Sequence, residues 1–376
     1  MKIACTAKAR ELLKSSQFVQ LGDVGTTDFF SWHAHVYVHQ RRKILLLIND
    51  LTGFPVVFYR PKVAQLKNFE SLALEAIREA FLDYGVKPEH IERYFEMAGG
   101  IQLTSKTSRS TLSRLTEWKN IATFALARRI LTPLNEDRLT QPAFSRKVFP
   151  WSWTDYEPTT DLLTKAFESY LNVKPEDLYE VESFELLVKL MLEKHHITRR
   201  ILVPANATLD ILHQVIQKAF GWGYHHLHQF LLLPQGSESI YVPTDILIQN
   251  AEVGEQLDIG DDYKPVLSDA STTIKDVLEL PYELWYEHDL GDSWAHRITL
   301  VETRRLPNRV YRVLSAIGTT PPDDVGGESG FEEFLEVMAD ENHIDHEALS
   351  EWYEMQTSHR MSIAQVNDWL ERCAFK

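Results

Sequence analysis

Hydrophobic and polar positions alternate with clear changes of period along the first third of the chain. Period-two apolar runs predict strands over residues 3–5, 29–39, 43–49 and 54–59, with a short helix over 7–13 after the first. Leu66, Phe69, Leu72, Ala73, Ile77 and Phe81 then recur at helical spacing, and Gly85 closes that helix as a left-handed C-terminal residue. Pro88 suits the first turn of a second helix reaching Met97. A third helix over 110–131 carries Leu112, Leu115, Trp118, Ile121, Ala122 and Ala125 on one face. Arg109, Arg114, Lys119, Arg128 and Arg129 fall mostly off that face.

Periodicity lapses between residues 132 and 159, where Pro133, Pro142, Pro150 and Pro158 interrupt the chain. The expected organisation is a first domain over 1–131, a proline-rich linker over 132–159 and a second domain over 160–376. Helical spacing returns over 160–171, strands follow over 184–192 and 199–203, and Thr208 caps an amphipathic helix over 209–220. After Gly221 and Gly223, residues 226–233 read as a strand with His226, His228 and Phe230 on one face. Residues 234–282 are irregular, and three helices are expected over 330–339, 345–354 and 362–372. The fold class is therefore α+β, in two domains, each a small and mainly antiparallel sheet packed with helices.

The densest reactive stretch is Leu284-Trp-Tyr-Glu-His-Asp-Leu-Gly-Asp-Ser-Trp-Ala-His296. It alternates on both sides of a Gly-Asp turn signal and predicts a hairpin with a loop over 290–293. That loop would set Asp289 opposite Trp294, Glu287 opposite His296 and Trp285 opposite Ile298. A carboxylate, an imidazole and an indole would then share one face.

Composition narrows the class. A chain of 376 residues with 44% hydrophobic and 25% charged residues is ordinary for a globular protein. Its two cysteines, Cys5 and Cys373, stand at opposite ends, which argues against a disulfide framework or a Cys-based zinc site. No signal-peptide pattern or 18-residue apolar run appears, so a cytoplasmic protein without membrane contact is expected. The net charge of −15 is unevenly divided: residues 1–150 hold 22 Lys and Arg against 14 Asp and Glu, and residues 151–376 hold 17 against 40. The basic stripe on the third helix makes nucleic-acid binding by the first domain one reading, although it lacks interleaved aromatics and a helix-turn-helix spacing.

A linked series carries a family resemblance. It comprises Arg199-Arg-Ile-Leu-Val-Pro204, Ala219-Phe-Gly-Trp222, His226-Leu-His228, Asp289-Leu-Gly-Asp-Ser-Trp-Ala-His296, Pro321-Pro-Asp-Asp-Val-Gly-Gly327 and Gly330-Phe-Glu-Glu-Phe-Leu335. In that order, residues 183–372 resemble the plasmid pRiA4b ORF-3-like proteins, also called insertion-element passenger TnpR proteins. The resemblance implies an α+β fold and a mobile-element setting. Relatives often carry cysteines before the Pro-Pro loop, where this chain has Val313, Leu314, Thr319 and Thr320. Relatives usually have an aromatic at His288, which argues against a catalytic role for that residue. The nucleophilic serine, supporting arginines and helix-turn-helix of a serine recombinase are not recognisable, so the resolvase label implies no recombinase. Residues 1–130 more faintly resemble an uncharacterised bacterial domain of the DUF6933 type, through Trp32-His33 and the 43–55 hairpin.

The candidate ligand-binding residues are His226, His228, Glu287, Asp289, Asp292, Trp294, His296 and Asp324. Among them His226, His228, Asp289 and His296 form a candidate divalent-metal set, because imidazoles at i and i+2 on a strand and a nearby carboxylate are suitable ligands. The leading function is a non-catalytic binding or accessory module presenting the hairpin and the 321–327 loop to a protein or small molecule. The alternative is a metal-dependent hydrolase using the His/Asp/Glu cluster.

Overall fold

In a computed structural model, residues 1–13, 18–19, 28–39, 41–59, 61–105, 115, 119, 153–154, 157–223, 226–242, 246–249, 266–270 and 272–372 are described. The basic third helix lies outside these residues apart from positions 115 and 119, as does most of the expected linker. Two compact units divide between Val181 and Glu182, with Arg305–Asn308 also assigned to the first.

The first unit comprises β1 (Lys2–Cys5), α1 (Ala7–Leu12), a 3₁₀ turn (Asp28–Phe30), β2 (Ser31–His39), β3 (Arg42–Asn49), β4 (Pro55–Tyr59), α2 (Val63–Leu66), α3 (Phe69–Tyr84), α4 (Pro88–Ala98) and β5 (Gln102–Thr104). The ribbon of β6 (Trp153–Thr154) and β7 (Glu157–Pro158) follows, then α5 (Thr159–Leu171) and α6 (Pro175–Leu178). Its main sheet has the order β4-β3-β2-β1-β5. Strand β1 runs parallel to both β2 and β5, so this sheet is mixed rather than mainly antiparallel. The continuous apolar runs of β1 and β3 fit that position, since both faces of a central strand are covered. At the end of α3, Gly85 has φ 96°, and the amide of Val86 reaches back to the carbonyl of Phe81. This is the left-handed closure anticipated from the glycine.

The expected boundary at residue 160 is corrected here. Helix α5 packs into the first unit, where Phe167 meets Phe29, Phe81 and Tyr94 edge-on or tilted, and Leu163 and Leu171 are buried in the same core. Its amphipathic spacing announced a helix without saying which sheet would cover its apolar face.

The second unit contains β8 (Val181–Met191), β9 (His196–Pro204), α7 (Leu209–Phe220), β10 (His228–Leu233), β11 (Ile246–Gln249), β12 (Val266–Ser268) and α8 (Ile274–Leu278). It continues with β13 (Glu283–His288), β14 (Trp294–Leu306), β15 (Arg312–Ile317), α9 (Gly327–Ala339), α10 (His346–Thr357) and α11 (Ile363–Arg372). Eight strands form one sheet in the order β12-β11-β10-β13-β14-β8-β9-β15. Thr208 caps α7 through its hydroxyl and Gly221 ends it at φ 77°. Strand β15 was not anticipated; Asn367 of α11 bonds both the amide and the carbonyl of Val313 on this edge strand. No helix among the described residues is long and apolar enough to cross a membrane.

Candidate functional site

The hairpin exists, but its register is one residue away from expectation. Its loop holds five residues, 289–293, and the observed pairs are His288 with Trp294, Tyr286 with His296, and Leu284 with Ile298. The cause lies in Asp289, which has φ 55° and accepts hydrogen bonds through Oδ1 from the amides of Gly291 (2.9 Å) and Asp292 (3.3 Å). An aspartate that organises its own turn leaves the ladder. Because side chains alternate, a slip of one residue exchanges the two faces of the strand.

One face of the sheet therefore carries His228, Phe230, Tyr286, His288, Trp294 and His296, against helix α7. A polar network crosses this buried layer. His228 Nε2 lies 3.1 Å from Asp269 Oδ2, and the His228 ring stacks on His213 at 3.5 Å. His213 Nδ1 and Gln217 Nε2 each lie 2.8 Å from the Tyr286 hydroxyl. Gln217 Nε2 also donates to His288 Nδ1 at 3.1 Å, which leaves the proton of a neutral His288 on Nε2, facing Asp323 at 3.5 Å. Burial holds the His213 imidazole well below its ordinary pKa, reinforced by His228 and His288. Burial lowers His288 too, with partial compensation from Asp323. For Asp323, burial acts upward, but hydrogen bonds from His288 and the Gly223 amide outweigh it and hold the carboxyl below the usual range.

His296 is fully buried between Phe220 and Trp222, with Nδ1 3.3 Å from the Tyr286 carbonyl and no hydrogen-bond partner at Nε2. Burial pushes its pKa down to about 3, so it is a neutral core imidazole. Trp294 is likewise core, stacked near Trp222. Glu287 lies on the opposite face, where it accepts from Gln229 Nε2 and Ser293 Oγ, both at 2.6 Å. The metal set expected from His226, His228, Asp289 and His296 is thus not assembled, because His228 is committed to Asp269 and His213 and His296 is enclosed by aromatic rings.

A different set meets at the rim. His226 stands just before β10, its Nδ1 3.2 Å from Asp289 Oδ2 and its Nε2 3.4 Å from Asp324 Oδ1. Asp324 has φ 60° and a largely exposed side chain. The carboxylate of Asp292 joins the two loops by accepting from the Gly326 amide at 3.1 Å. Gly327, at φ 69°, approaches so closely that a Cβ there would lie 3.0 Å from the Asp292 carbonyl oxygen. Buried Arg199 braces the strand end through the Ile317 carbonyl and the Thr320 hydroxyl, while Arg360 holds the carbonyls of Thr320 and Pro321. Burial, with help from Arg360, lowers Arg199 to about 10. Beside the hairpin loop the ring of Tyr241 is 81% exposed, and its hydroxyl lies 3.1 Å from Ser293 Oγ.

These paired loops are the motifs that the family comparison also covers. The model of the plasmid pRiA4b ORF-3-like protein family matches residues 182–367. The uncharacterized protein y4hQ of Sinorhizobium fredii is 30% identical over 158 residues, spanning 42% of this chain and 73% of that protein. The chain belongs to the plasmid pRiA4b ORF-3-like family. Its family region begins at Glu182, where the second compact unit also begins. The model of DUF6933, a domain of unknown function, matches residues 2–149. Among solved structures, the protein of unknown function MM3350 from Methanosarcina mazei Go1 is similar at 26% identity, covering 46% of this chain and 89% of its own, with a TM-score of 0.36.

Several participants escaped the sequence reading. His213, Gln217 and Asp269 stand in no motif, Tyr286 lies within the 284–296 stretch but on the face opposite to the expected site, and the resemblance argues against a role for His288. The burial of His288 between Gln217 and Asp323 places it at the centre of the network. An i, i+4 pairing of His213 with Gln217 on the buried face of α7 was the available signal, since two polar side chains on an apolar stripe require partners.

Proposed function

We propose that the second unit of this pRiA4b ORF-3-like protein is a non-catalytic binding module whose ligand-facing edge is formed by the 289–293 and 321–327 loops. The reading is carried by the convergence of His226, Asp289 and Asp324 from three chain segments on one rim. Exposed Tyr241 next to the hairpin loop supplies an aromatic contact of the kind enriched at recognition surfaces. The buried histidines behind the rim support it as a scaffold: their hydrogen bonds fix Tyr286, His288 and Asp323 rather than presenting a base to solvent. The metal-dependent hydrolase built on His226, His228, Asp289 and His296 loses its ligand set in this geometry.

A cytoplasmic accessory role, with a mobile-element association suggested by the plasmid in the family description, belongs to the same proposal. Nucleic-acid binding by the first unit rests on charge alone, so it remains the weaker reading. The direct test is co-purification from native cells using the full chain and variants Tyr241→Ala and Asp324→Asn, asparagine tolerating the φ of 60° at position 324. Both side chains are exposed, so the variants should fold. A protein or small-molecule partner retained by the parent and lost from both variants is expected. Retention of every co-purifying species by both variants, or none with the parent, overturns the reading.

A further inference from the structure

We infer that the rim is a binding site for one divalent transition-metal ion of the zinc or manganese class, held by His226, Asp289 and Asp324; this rests on reading the rim as the ligand-facing edge. One imidazole nitrogen and one oxygen from each carboxylate lie within 4.8 Å of one another. Typical zinc distances to nitrogen and carboxylate oxygen are about 2.0–2.2 Å. Asp289 faces Nδ1 and Asp324 faces Nε2, so a shared ion would take one of these nitrogens and the carboxylate facing the other would have to turn toward it.

Charge supplies an independent reason. Among the described residues, neither Asp289 nor Asp324 has a Lys or Arg within ion-pair distance, and the His226 imidazole is the basic side chain that faces both. Asp292 and Asp323 add negative charge on the same two loops, where their oxygens accept from the amides of Gly326 and Gly223. Asp323 is already met by His288, so the excess of negative charge lies on Asp289, Asp292 and Asp324, and a dication reduces it and is attracted to it.

The division of labour within Asp289 fits this role. Its Oδ1 is occupied by the amides of Gly291 and Asp292, which orient the carboxylate, and its Oδ2 is the atom facing His226. His226 is positioned in turn by an edge-on contact with His288, 5.6 Å between ring centres. The imidazole favours zinc over magnesium and calcium, which prefer all-oxygen sites, and the two carboxylates also suit manganese. Three protein ligands and the exposure of Asp324 leave coordination positions open to water or to a donor atom of a partner.

The experiment uses the untagged full chain, stripped with chelator and dialysed, titrated calorimetrically with zinc chloride and manganese chloride and with magnesium chloride for comparison. One equivalent of zinc or manganese per chain is expected, with a raised Tm and much weaker magnesium binding. The variants are Asp324→Asn and His226→Gln. Asparagine tolerates the positive φ at position 324, so loss of binding there reports the ligand rather than the backbone. Each variant should lose at least the roughly 10–100-fold that removal of an outer-shell partner costs a metal site. Absence of stoichiometric zinc or manganese binding, or unchanged affinity in Asp324→Asn with native circular dichroism, overturns the inference. A metal site without any partner contradicts only the binding-module reading; a Tyr241-dependent partner without metal contradicts only this one.

Discussion

Tyr286, and not Glu287, stands opposite His296 across the hairpin. That single pairing decides which side chains face α7 and which face away. It gives Tyr286 a buried hydroxyl between His213 and Gln217. Removing the hydroxyl in Tyr286→Phe leaves those polar groups short of a buried partner, with an expected cost of about 1–3 kcal/mol. Urea denaturation should show the lower midpoint with an unchanged slope. An unchanged midpoint would mean that the hydroxyl does not organise the layer.

The hairpin itself was legible, because both arms alternate and the Gly-Asp pair marks the turn. Its register was not, since Asp289 serves equally well as a strand end or as the residue that accepts from its own loop. Only the placement of the Gly291 and Asp292 amides on its carboxylate resolves the choice. The same limit explains the metal set: His226 and His228 are two residues apart, yet one meets the 321–327 loop and the other meets Asp269. Periodicity places residues on a face; it does not reveal which distant loop covers that face.

Protonation of the core should destabilise the second unit. His213, His288 and His296 have folded-state pKa values below the ordinary 6.5, and His296 falls to about 3. Such groups bind more protons when unfolded, so the stability associated with neutral histidine is present above about pH 6.5 and is lost as pH falls. For His296 the window extends down to about pH 3, with a slope approaching 1.4 kcal/mol per pH unit. Replacing His296 with Phe keeps an aromatic ring against Phe220 and Trp222 and should flatten the pH dependence measured by urea midpoints between pH 7.5 and 4.5. An equally steep dependence in that variant would remove His296 from the account.

Gly327→Ala should loosen the junction of the two loops. The added methyl meets the Asp292 carbonyl at 3.0 Å on a backbone with φ 69°. Strain of this kind costs roughly 1–3 kcal/mol, or about 2–4 °C in Tm per kcal/mol for a unit of this size. Differential scanning calorimetry checks it; a Tm equal to the parent's would show that the close approach is not needed.

The placement of α5 predicts a localised effect. Phe167→Ala removes a ring buried among Phe29, Phe81 and Tyr94 and should cost about 3–5 kcal/mol in the first unit. Hydrogen exchange should accelerate across β1 to β3 while the β13–β14 hairpin keeps its protection. Accelerated exchange confined to the hairpin would place this helix in the second unit after all.

The central claim is that His226, Asp289 and Asp324 form the working rim while His228 and His296 belong to the scaffold. Anomalous diffraction at the zinc edge, from crystals of the full chain grown with zinc, tests it most directly. The account predicts a peak within bonding distance of His226, Asp289 and Asp324. A peak bonded to His228 or His296, or zinc-bound crystals with no peak at the rim, would contradict it.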